Sequence, residues 1–184
     1  MDFPNLETGR LVLNQFHLSD AQRLSELLNI SDVSIFTTNI PFPYSLEDAN
    51  TFINLSQEEF LQNKSIIFAI REKESNLLVG GIGIQIKSKH KRGVFSYWIA
   101  KDYWGRGFAT ESLERLLEFA FNDLNLNKLE AEYFVDNPAS GKVMQKVGMF
   151  KEGEFKQHNF KNNKFWDVAI FGICKDDYLK KNQA

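Results

Sequence analysis

One stretch of the sequence constrains the fold more than any other: residues 97–122, which read YWIAKDYWGRGFATESLERLLEFAFN. Its opening residues favour a β-strand, and two closely spaced glycines, Gly105 and Gly107, then interrupt the chain. After them, apolar residues recur at helical spacing, at Leu113, Leu116, Leu117, Ala120, Phe121 and Leu124. The stretch therefore predicts a strand, a glycine turn and an amphipathic helix that packs one face on a sheet.

The predicted turn is suited to holding an anion. Gly105 and Gly107 allow positive φ angles, so a ligand can come into contact with the backbone N–H groups around them. The first N–H groups of the following helix have no intrahelical partners, and the helix dipole adds partial positive charge at that end. Arg106 adds a fixed charge at the same place. A phosphate chain such as a pyrophosphate is the ligand that this arrangement predicts.

The composition is that of an ordinary globular chain. Of 184 residues, 43% are hydrophobic and 25% are charged, and no apolar run approaches the ~20 residues of a membrane span. We therefore expect one domain over residues 1–184 and no membrane association. The first residues lack the features of a signal peptide, and the single cysteine, Cys174, has no internal disulfide partner. A cytoplasmic location follows as the default expectation.

The charge balance argues against direct nucleic-acid binding. The formal net charge is -2, so an anion must be recognised by a local device rather than by the whole surface. The one basic run, at 87–92, is interpreted as a solvated hairpin loop. The three histidines have no metal-ligand spacing, and we predict no metal.

Seven strands and four helices are predicted along the chain. Strands are expected at 10–15, 66–71, 77–86, 94–100, 128–135, 150–160 and 164–174. Helices are expected after Asp20, after Ser45, after the glycine turn, and from Asn137 as N-cap to Gly148 as the terminating glycine.

Their order predicts the topology. The early strands suit an antiparallel meander, and glycines at 80, 81 and 83 suggest a bulge or bend in its middle strand. The strand-helix-strand unit spanning 97–135 should form a right-handed parallel crossover. The predicted fold class is α/β (α+β): a mixed, mostly antiparallel twisted sheet of about seven strands, flanked by about four helices, with a central βαβ crossover.

Two well-known phosphate-binding turns fit poorly. A Walker-type loop ends in Gly-Lys-Ser/Thr, which this turn does not. A dinucleotide-binding turn needs a third glycine where this chain has Thr110, and it opens the first βαβ unit instead of following a meander. An acyl-CoA-binding turn is the third possibility.

Longer segments carry a more specific resemblance. The segments ETGRLVLNQFHLSDA, PFPYSLEDANTFI, YWGRGFATE and DNPASGKVMQKVGMFKEGEF follow one another in this order. Over nearly its whole length the chain resembles the GNAT acetyltransferase superfamily, and more narrowly its RimJ/RimL-type branch, which includes ribosomal-protein N-terminal acetyltransferases. Trp104 departs from the Gln or Arg that begins the superfamily turn, and Ser96 from a glycine usual in the branch. Since the turn donates mainly backbone N–H groups, we expect Trp104 to be tolerated.

The resemblance implies acetyl-CoA as co-substrate and a primary amine as acceptor. A backbone N–H of the strand at 98–100 would stabilise the oxyanion, and this strand would splay from the strand at 129–135 to admit the pantetheine arm. Ser140 is the implied catalytic acid for the departing thiolate; judged by position alone, Asn137 and Ser140 would be an N-cap and a polar first-turn residue. The implied cofactor-binding residues are Trp98, Ile99, Ala100, Trp104, Gly105, Arg106, Gly107, Phe108, Ala109, Thr110, Asn137 and Ser140.

Several alternatives stay open at this stage. Candidates for the general base are Glu130, Glu132, Glu154, His158, Asp167 and a water chain. The acceptor is either the N-terminal α-amino group of a protein, such as a ribosomal protein, or a small amine such as a polyamine, an amino acid or an aminoglycoside. A catalytically silent acyl-CoA-binding module on the same fold is a further alternative. Both a monomer and a homodimer are compatible with the sequence.

Overall fold

The computed structural model describes residues 2–37 and 39–183, with the backbone alone for 31, 182 and 183. The strands within this part are β1 (Leu6–Glu7), β2 (Leu11–Gln15), β3 (Ser65–Glu72), β4 (Leu78–Lys87), β5 (Arg92–Ile99), β6 (Lys128–Phe134), β7 (Phe150–Lys161) and β8 (Lys164–Cys174). The α-helices are α1 (Ala21–Leu28), α2 (Ser31–Ser34), α3 (Leu46–Leu61), α4 (Phe108–Asn122), α5 (Pro138–Lys146) and α6 (Lys175–Gln183).

The eight strands form one sheet in the order β1-β2-β3-β4-β5-β6-β8-β7. Strands β5 and β6 run parallel and are connected through α4, and the other neighbouring pairs are antiparallel. The predicted mixed sheet with its central crossover is therefore confirmed. The described residues contain eight strands where about seven were expected and six α-helices where about four were expected, because β1, α2 and α6 were not predicted.

Helix α4 covers the centre of one face of the sheet. The side chains of Leu113, Leu116, Leu117, Ala120 and Phe121 are at most 1% exposed, and they pack in one core with residues of β2 to β6 and β8. The predicted apolar stripe is thus the buried face as far as Phe121, whereas Leu124 lies beyond the end of α4 and is partly buried. A second core contains buried side chains of α1 and α3 together with Phe16, Ala69, Leu78 and Ala100.

Two of the predicted helix-end signals, Ser45 and Gly148, act as expected, and a third, the side chain of Asn137, does not. Ser45 caps α3 and forms a capping box with Asp48, and Gly148 ends α5 with φ of +90°. Asn137 occupies the N-cap position of α5, but its side chain does not cap the helix. The cap interpretation of that side chain is therefore wrong, and the side chain has another partner, described below.

The glycines in β4 accompany both a register shift and a close approach. The pairing of β3 with β4 shifts between Ile70 and Arg71, which leaves Val79 without a direct partner, as a bulge requires. A Cβ on Gly81 would come within 2.7 Å of the Trp98 indole nitrogen, so glycine makes room for that ring. No helix of the described residues is long and apolar enough to cross a bilayer.

Candidate active site

The glycine turn, residues 104–109, presents a row of backbone N–H groups. Gly105 and Gly107 have φ of +76° and +82°, and α4 begins directly after Gly107. The first helical hydrogen bond joins the Glu111 N–H to the Gly107 carbonyl at 3.1 Å. Among the described residues, none accepts a hydrogen bond from the N–H groups of 105–110. These donors lie at the positive end of a 15-residue helix, as an anion site requires.

Two arginines lie beside this row of donors. Arg106 stacks over the Tyr103 ring at 4.8 Å, and its Nη1 is 3.5 Å from a Glu72 carboxylate oxygen. Arg10, which sequence reasoning did not single out, stacks over the Phe108 ring at 4.9 Å. Both arginine side chains are about half exposed, so a bound anion can reach them.

Glu111 ties the first turn of α4 to the loop between β1 and β2. Its carboxylate accepts hydrogen bonds from the Thr8 hydroxyl at 2.6 Å and from the Arg10 N–H and Nε, both at 2.8 Å. Burial alone would raise the pKa of Glu111, but these hydrogen bonds and the Arg10 charge outweigh it and lower that pKa. This acid in the first turn of α4 is therefore also a long-range tether.

Trp104 joins the turn to the end of β5. Its indole N–H donates to the Ile99 carbonyl at 2.7 Å, while the side chain stays 49% exposed. This contact gives the departure from Gln or Arg at this position a structural role that leaves the backbone donors free.

Strands β5 and β6 diverge beside the turn. Their pairing includes only Arg92–Val94 and Lys128–Glu130, and the remainder of each strand is unpaired toward the other. We call the space between 95–99 and 131–134 the β5–β6 gap. The parallel crossover thus produces the splay that the resemblance implied.

Only part of the 98–100 segment offers its N–H to this gap. The Ala100 N–H donates to the Val79 carbonyl of β4 at 2.9 Å. Trp98, two residues earlier, pairs with Gly81 of β4, so its N–H also points toward β4. Because N–H directions alternate along a strand, those of Ile99 and Tyr97 face β6. Ile99 is therefore the residue of the three whose N–H is available in the gap.

Ser140 lies beside the gap with two hydrogen-bond donors on its hydroxyl oxygen. The Tyr97 hydroxyl and the Asn137 side-chain amide each donate to Ser140 Oγ at 3.2 Å. Burial raises the pKa of Tyr97. Tyr97 was missed in the sequence; its signal was its place in β5, two residues before Ile99 and on the same face.

A cavity of about 710 Å³, here called the acceptor cavity, extends from Ser140 and Tyr97 toward α3 and the segment at 36–41. Its walls include Phe52, Leu55 and Trp98. Four carboxylates line it: Asp48, Glu59, Glu130 and Glu132. Within the described part of the chain, no Lys, Arg or His lines this cavity.

The candidate bases separate by position. Glu130 and Glu132 line the acceptor cavity, whereas Glu154, His158 and Asp167 do not. Glu130 lies 3.2 Å from Arg92 Nη1 and 3.9 Å from Lys128 Nζ, so two cations engage it. Glu132 is exposed and accepts a hydrogen bond from the Asn159 amide at 3.0 Å.

Two acids of this cavity were missed in the sequence, because each reads as an ordinary helical acid. Asp48 belongs to the first turn of α3, and hydrogen bonds from the Ser45 side chain and backbone lower its pKa. Glu59 accepts a hydrogen bond from Ser65 at the other end of that helix. Over residues 2–37 and 39–183, no group of three or more His, Cys, Asp or Glu side chains is placed to hold a metal ion.

The eight-stranded mixed sheet splays beside a helix N-terminus that has free backbone donors, which suits a phosphate-bearing ligand. Residues 10–150 match the family model of the acetyltransferase (GNAT) domain. The chain therefore belongs to the GNAT family of acetyltransferases.

Similar proteins carry more specific names. An uncharacterized N-acetyltransferase p20 of Bacillus licheniformis is 28% identical over 94% of this chain and 97% of its own. The fold is similar to that of a spermidine N-acetyltransferase from Vibrio cholerae in complex with CoA and spermine, with a TM-score of 0.81, 24% identity and coverage of 94% and 99%. It is also similar to RimL, a ribosomal L7/L12 α-N-protein acetyltransferase in complex with coenzyme A, with a TM-score of 0.87, 19% identity and coverage of 95% and 99%.

Proposed function

We propose that this protein transfers the acetyl group of acetyl-CoA to a primary amine by direct attack of the amine on the thioester. The observation that carries the proposal is the β5–β6 gap. The two strands that border it separate toward the glycine turn, and Ser140 lies beside it. Acetyl-CoA would supply a thioester carbon that an amine can attack. The RimL and spermidine N-acetyltransferase structures support a coenzyme of this kind, since both contain CoA.

The residues present fit such a coenzyme. The N–H groups of 105–110 would hold the pyrophosphate, with Arg10 and Arg106 beside it. A Cβ on Gly105 would meet no atom within 4 Å, which leaves open space where a phosphate chain can approach. The Asn137 amide and the backbone of Tyr97 and Ile99 would hold the pantetheine arm in the gap.

Three groups would then serve the chemistry. The Ile99 N–H would stabilise the carbonyl oxygen as it becomes negative. Ser140 would give its proton to the departing sulfur as the C–S bond breaks and the C–N bond forms. Glu132, or water in the cavity, would accept the proton that the attacking amine loses, and the Ser140 hydroxyl would regain its proton from solvent.

The acceptor cavity favours an amine that carries further positive charge. Its described lining has four carboxylates and no basic side chain, and its apolar walls suit an alkyl chain between charged groups. A polyamine fits this description, and a protein α-amino group followed by basic residues is the second class. Both classes occur among the similar proteins, one acting on spermidine and one on a ribosomal protein.

The test is thiol release from acetyl-CoA with spermidine, with a monoamine of similar length, and with a peptide that has a free or a blocked α-amino group. We expect a kcat/KM for spermidine roughly 10-fold above that of the monoamine, the size of one favourable ion pair in a partly enclosed site. Glu132→Gln should lower this preference, and Glu154→Gln, outside the cavity, should not. Binding of acetyl-CoA without turnover of any amine would instead identify a catalytically silent module.

A further inference from the structure

The hydrogen-bonding state of Ser140 is unusual for a residue expected to give up a proton. Its Oγ has two lone pairs, and two donors occupy them: the Tyr97 hydroxyl and the Asn137 amide, each at 3.2 Å. Within residues 2–37 and 39–183, no acceptor takes the Ser140 hydroxyl proton in return. The remaining direction for that proton is the acceptor cavity, which Ser140 lines.

We infer that Tyr97 is a positioning residue for acetyl transfer: its hydroxyl, with the Asn137 amide, holds Ser140 Oγ as an acceptor and so directs the Ser140 proton toward the leaving sulfur. The inference rests on the proposed function. Without the Tyr97 hydroxyl, the Ser140 hydroxyl could rotate and point its proton in other directions. A smaller fraction of molecules would then have the Ser140 proton directed toward the leaving sulfur.

The surroundings of Tyr97 suit a fixed donor and not a proton relay. Tyr97 is half-buried and packs against the core that contains α4, and burial raises its pKa. A phenol whose ionisation is disfavoured keeps its proton at neutral pH and continues to donate to Ser140. Its role is therefore to hold Ser140, while the proton that moves belongs to Ser140.

The chain offers a matched control on the neighbouring strand. Tyr133 of β6 also lines the acceptor cavity, and its hydroxyl approaches Gly141, where a Cβ would come within 2.5 Å of it. Tyr133 makes no hydrogen bond with Ser140 in the described structure. Tyr133→Phe thus removes a hydroxyl from the same cavity without removing a contact to Ser140.

The experiment compares the wild type, Tyr97→Phe, Ser140→Ala, the double variant and Tyr133→Phe in thiol release at saturating acetyl-CoA. We expect Ser140→Ala to lower kcat ~10- to 1000-fold and Tyr97→Phe to lower it roughly 10-fold, with both KM values little changed. In the Ser140→Ala background, Tyr97→Phe should cause no further loss, because its effect acts through Ser140. Tyr133→Phe, made alone and together with Ser140→Ala, should change kcat by the same factor in both backgrounds, because its hydroxyl makes no contact with Ser140.

A second measurement tests the contact without turnover. Urea unfolding is measured for the wild type, Tyr97→Phe, Ser140→Ala and the double variant. The double variant should lower the urea midpoint by less than the sum of the two single effects. Additive midpoints, additive losses of kcat, or a Tyr97→Phe variant with wild-type kcat would overturn the inference. A wild type that binds acetyl-CoA but acetylates no amine would overturn the proposed function and this inference with it.

Discussion

Glu111 illustrates how much a single residue can do that its local sequence does not show. In the sequence it is an acid in the first turn of a helix, where the dipole favours it. In the structure its carboxylate, 18% exposed, also binds Thr8 and Arg10, which are about 100 positions earlier. It thereby fixes the start of α4, where the free N–H groups lie, against the loop between β1 and β2.

This contact predicts a pH-dependent loss of stability in Glu111→Gln. Because the pKa of Glu111 is lowered in the folded state, its stabilisation is present above the unfolded value near 4.5 and is lost as the pH falls through the folded value. At pH 7 we expect the free energy of unfolding to fall by about 1–2 kcal/mol, measured by urea denaturation. Below pH 4.5 the difference from the wild type should shrink.

The control for this prediction is Glu118→Gln on the same helix. Glu118 is 52% exposed and pairs with Arg115 at 3.2 Å, so its removal should change the free energy of unfolding by no more than about 0.5 kcal/mol. Equal effects of the two substitutions, or a Glu111→Gln effect that stays constant down to pH 3, would show that the tether contributes nothing specific.

At the residue scale, the sequence was most informative where the role of a residue depends on its backbone conformation. The positive φ angles of Gly105 and Gly107 were predictable, because glycine adopts them at little cost. The contacts of Tyr97 and Glu111 were not, because both depend on partners brought close only by the sheet and by α5. Asn137 shows the limit most clearly, since a local cap signal gave way to a contact with Ser140.

At the scale of elements, the β7–β8 hairpin holds one wall of the acceptor cavity in place. Lys161, at the end of β7, donates to the backbone carbonyls of Ser34, Thr37 and Ile40; the contacts to Ser34 and Ile40 measure 2.6 and 2.9 Å. All three N–H groups of the ammonium are thereby used, although burial lowers its pKa. Two of these three residues, Thr37 and Ile40, line the cavity themselves.

We therefore expect Lys161→Met to loosen the segment at 34–40. The KM for the amine acceptor should rise roughly 10-fold and the affinity for acetyl-CoA should change little, because the glycine turn is not involved. Loss of these hydrogen bonds should also lower the free energy of unfolding by about 1–3 kcal/mol. Acceptor kinetics and calorimetry with acetyl-CoA separate the two effects.

The matched control is Lys151→Met in the same hairpin. Lys151 is exposed and pairs with Glu154 at 2.5 Å, near the end of β7 opposite to Lys161. It should leave both KM and affinity near the wild-type values. If Lys161→Met behaved in the same way, the hairpin would have no part in positioning the cavity wall.

The elements that the sequence predicted correctly are those with a repeating pattern. Helix α4 has four turns of apolar residues at helical spacing, and the longer strands other than β7 carry β-branched or alternating residues. The missed elements are too short or too polar for such a signal: β1 has two residues, α2 has four, and α6 reads KDDYLKKNQ. Pairing with β2 forms β1, since two residues have no strand preference of their own.

At the scale of the whole molecule, the site arises from one departure from regular sheet pairing. Strands β5 and β6 separate after Val94 and Glu130, and α4 and α5 each begin at the widened end with their first turns available. The order of elements made this topology predictable through the parallel crossover. The acidic character of the acceptor cavity was not predictable, because its carboxylates come from α3 and β6, which are far apart in the sequence.

Titration calorimetry of the purified protein with acetyl-CoA tests the central claim most directly, with ATP and NADH as controls and with Gly107→Val and Gly148→Val as matched variants. Both glycines have positive φ angles, so valine is strained at either site, but only position 107 adjoins the free N–H groups. We expect micromolar binding of acetyl-CoA by the wild type and by folded Gly148→Val, and at least ~100-fold weaker binding by folded Gly107→Val, since its side chain blocks approach to the backbone. No binding of acetyl-CoA by the wild type, or unchanged affinity in Gly107→Val, would contradict the assignment of this turn.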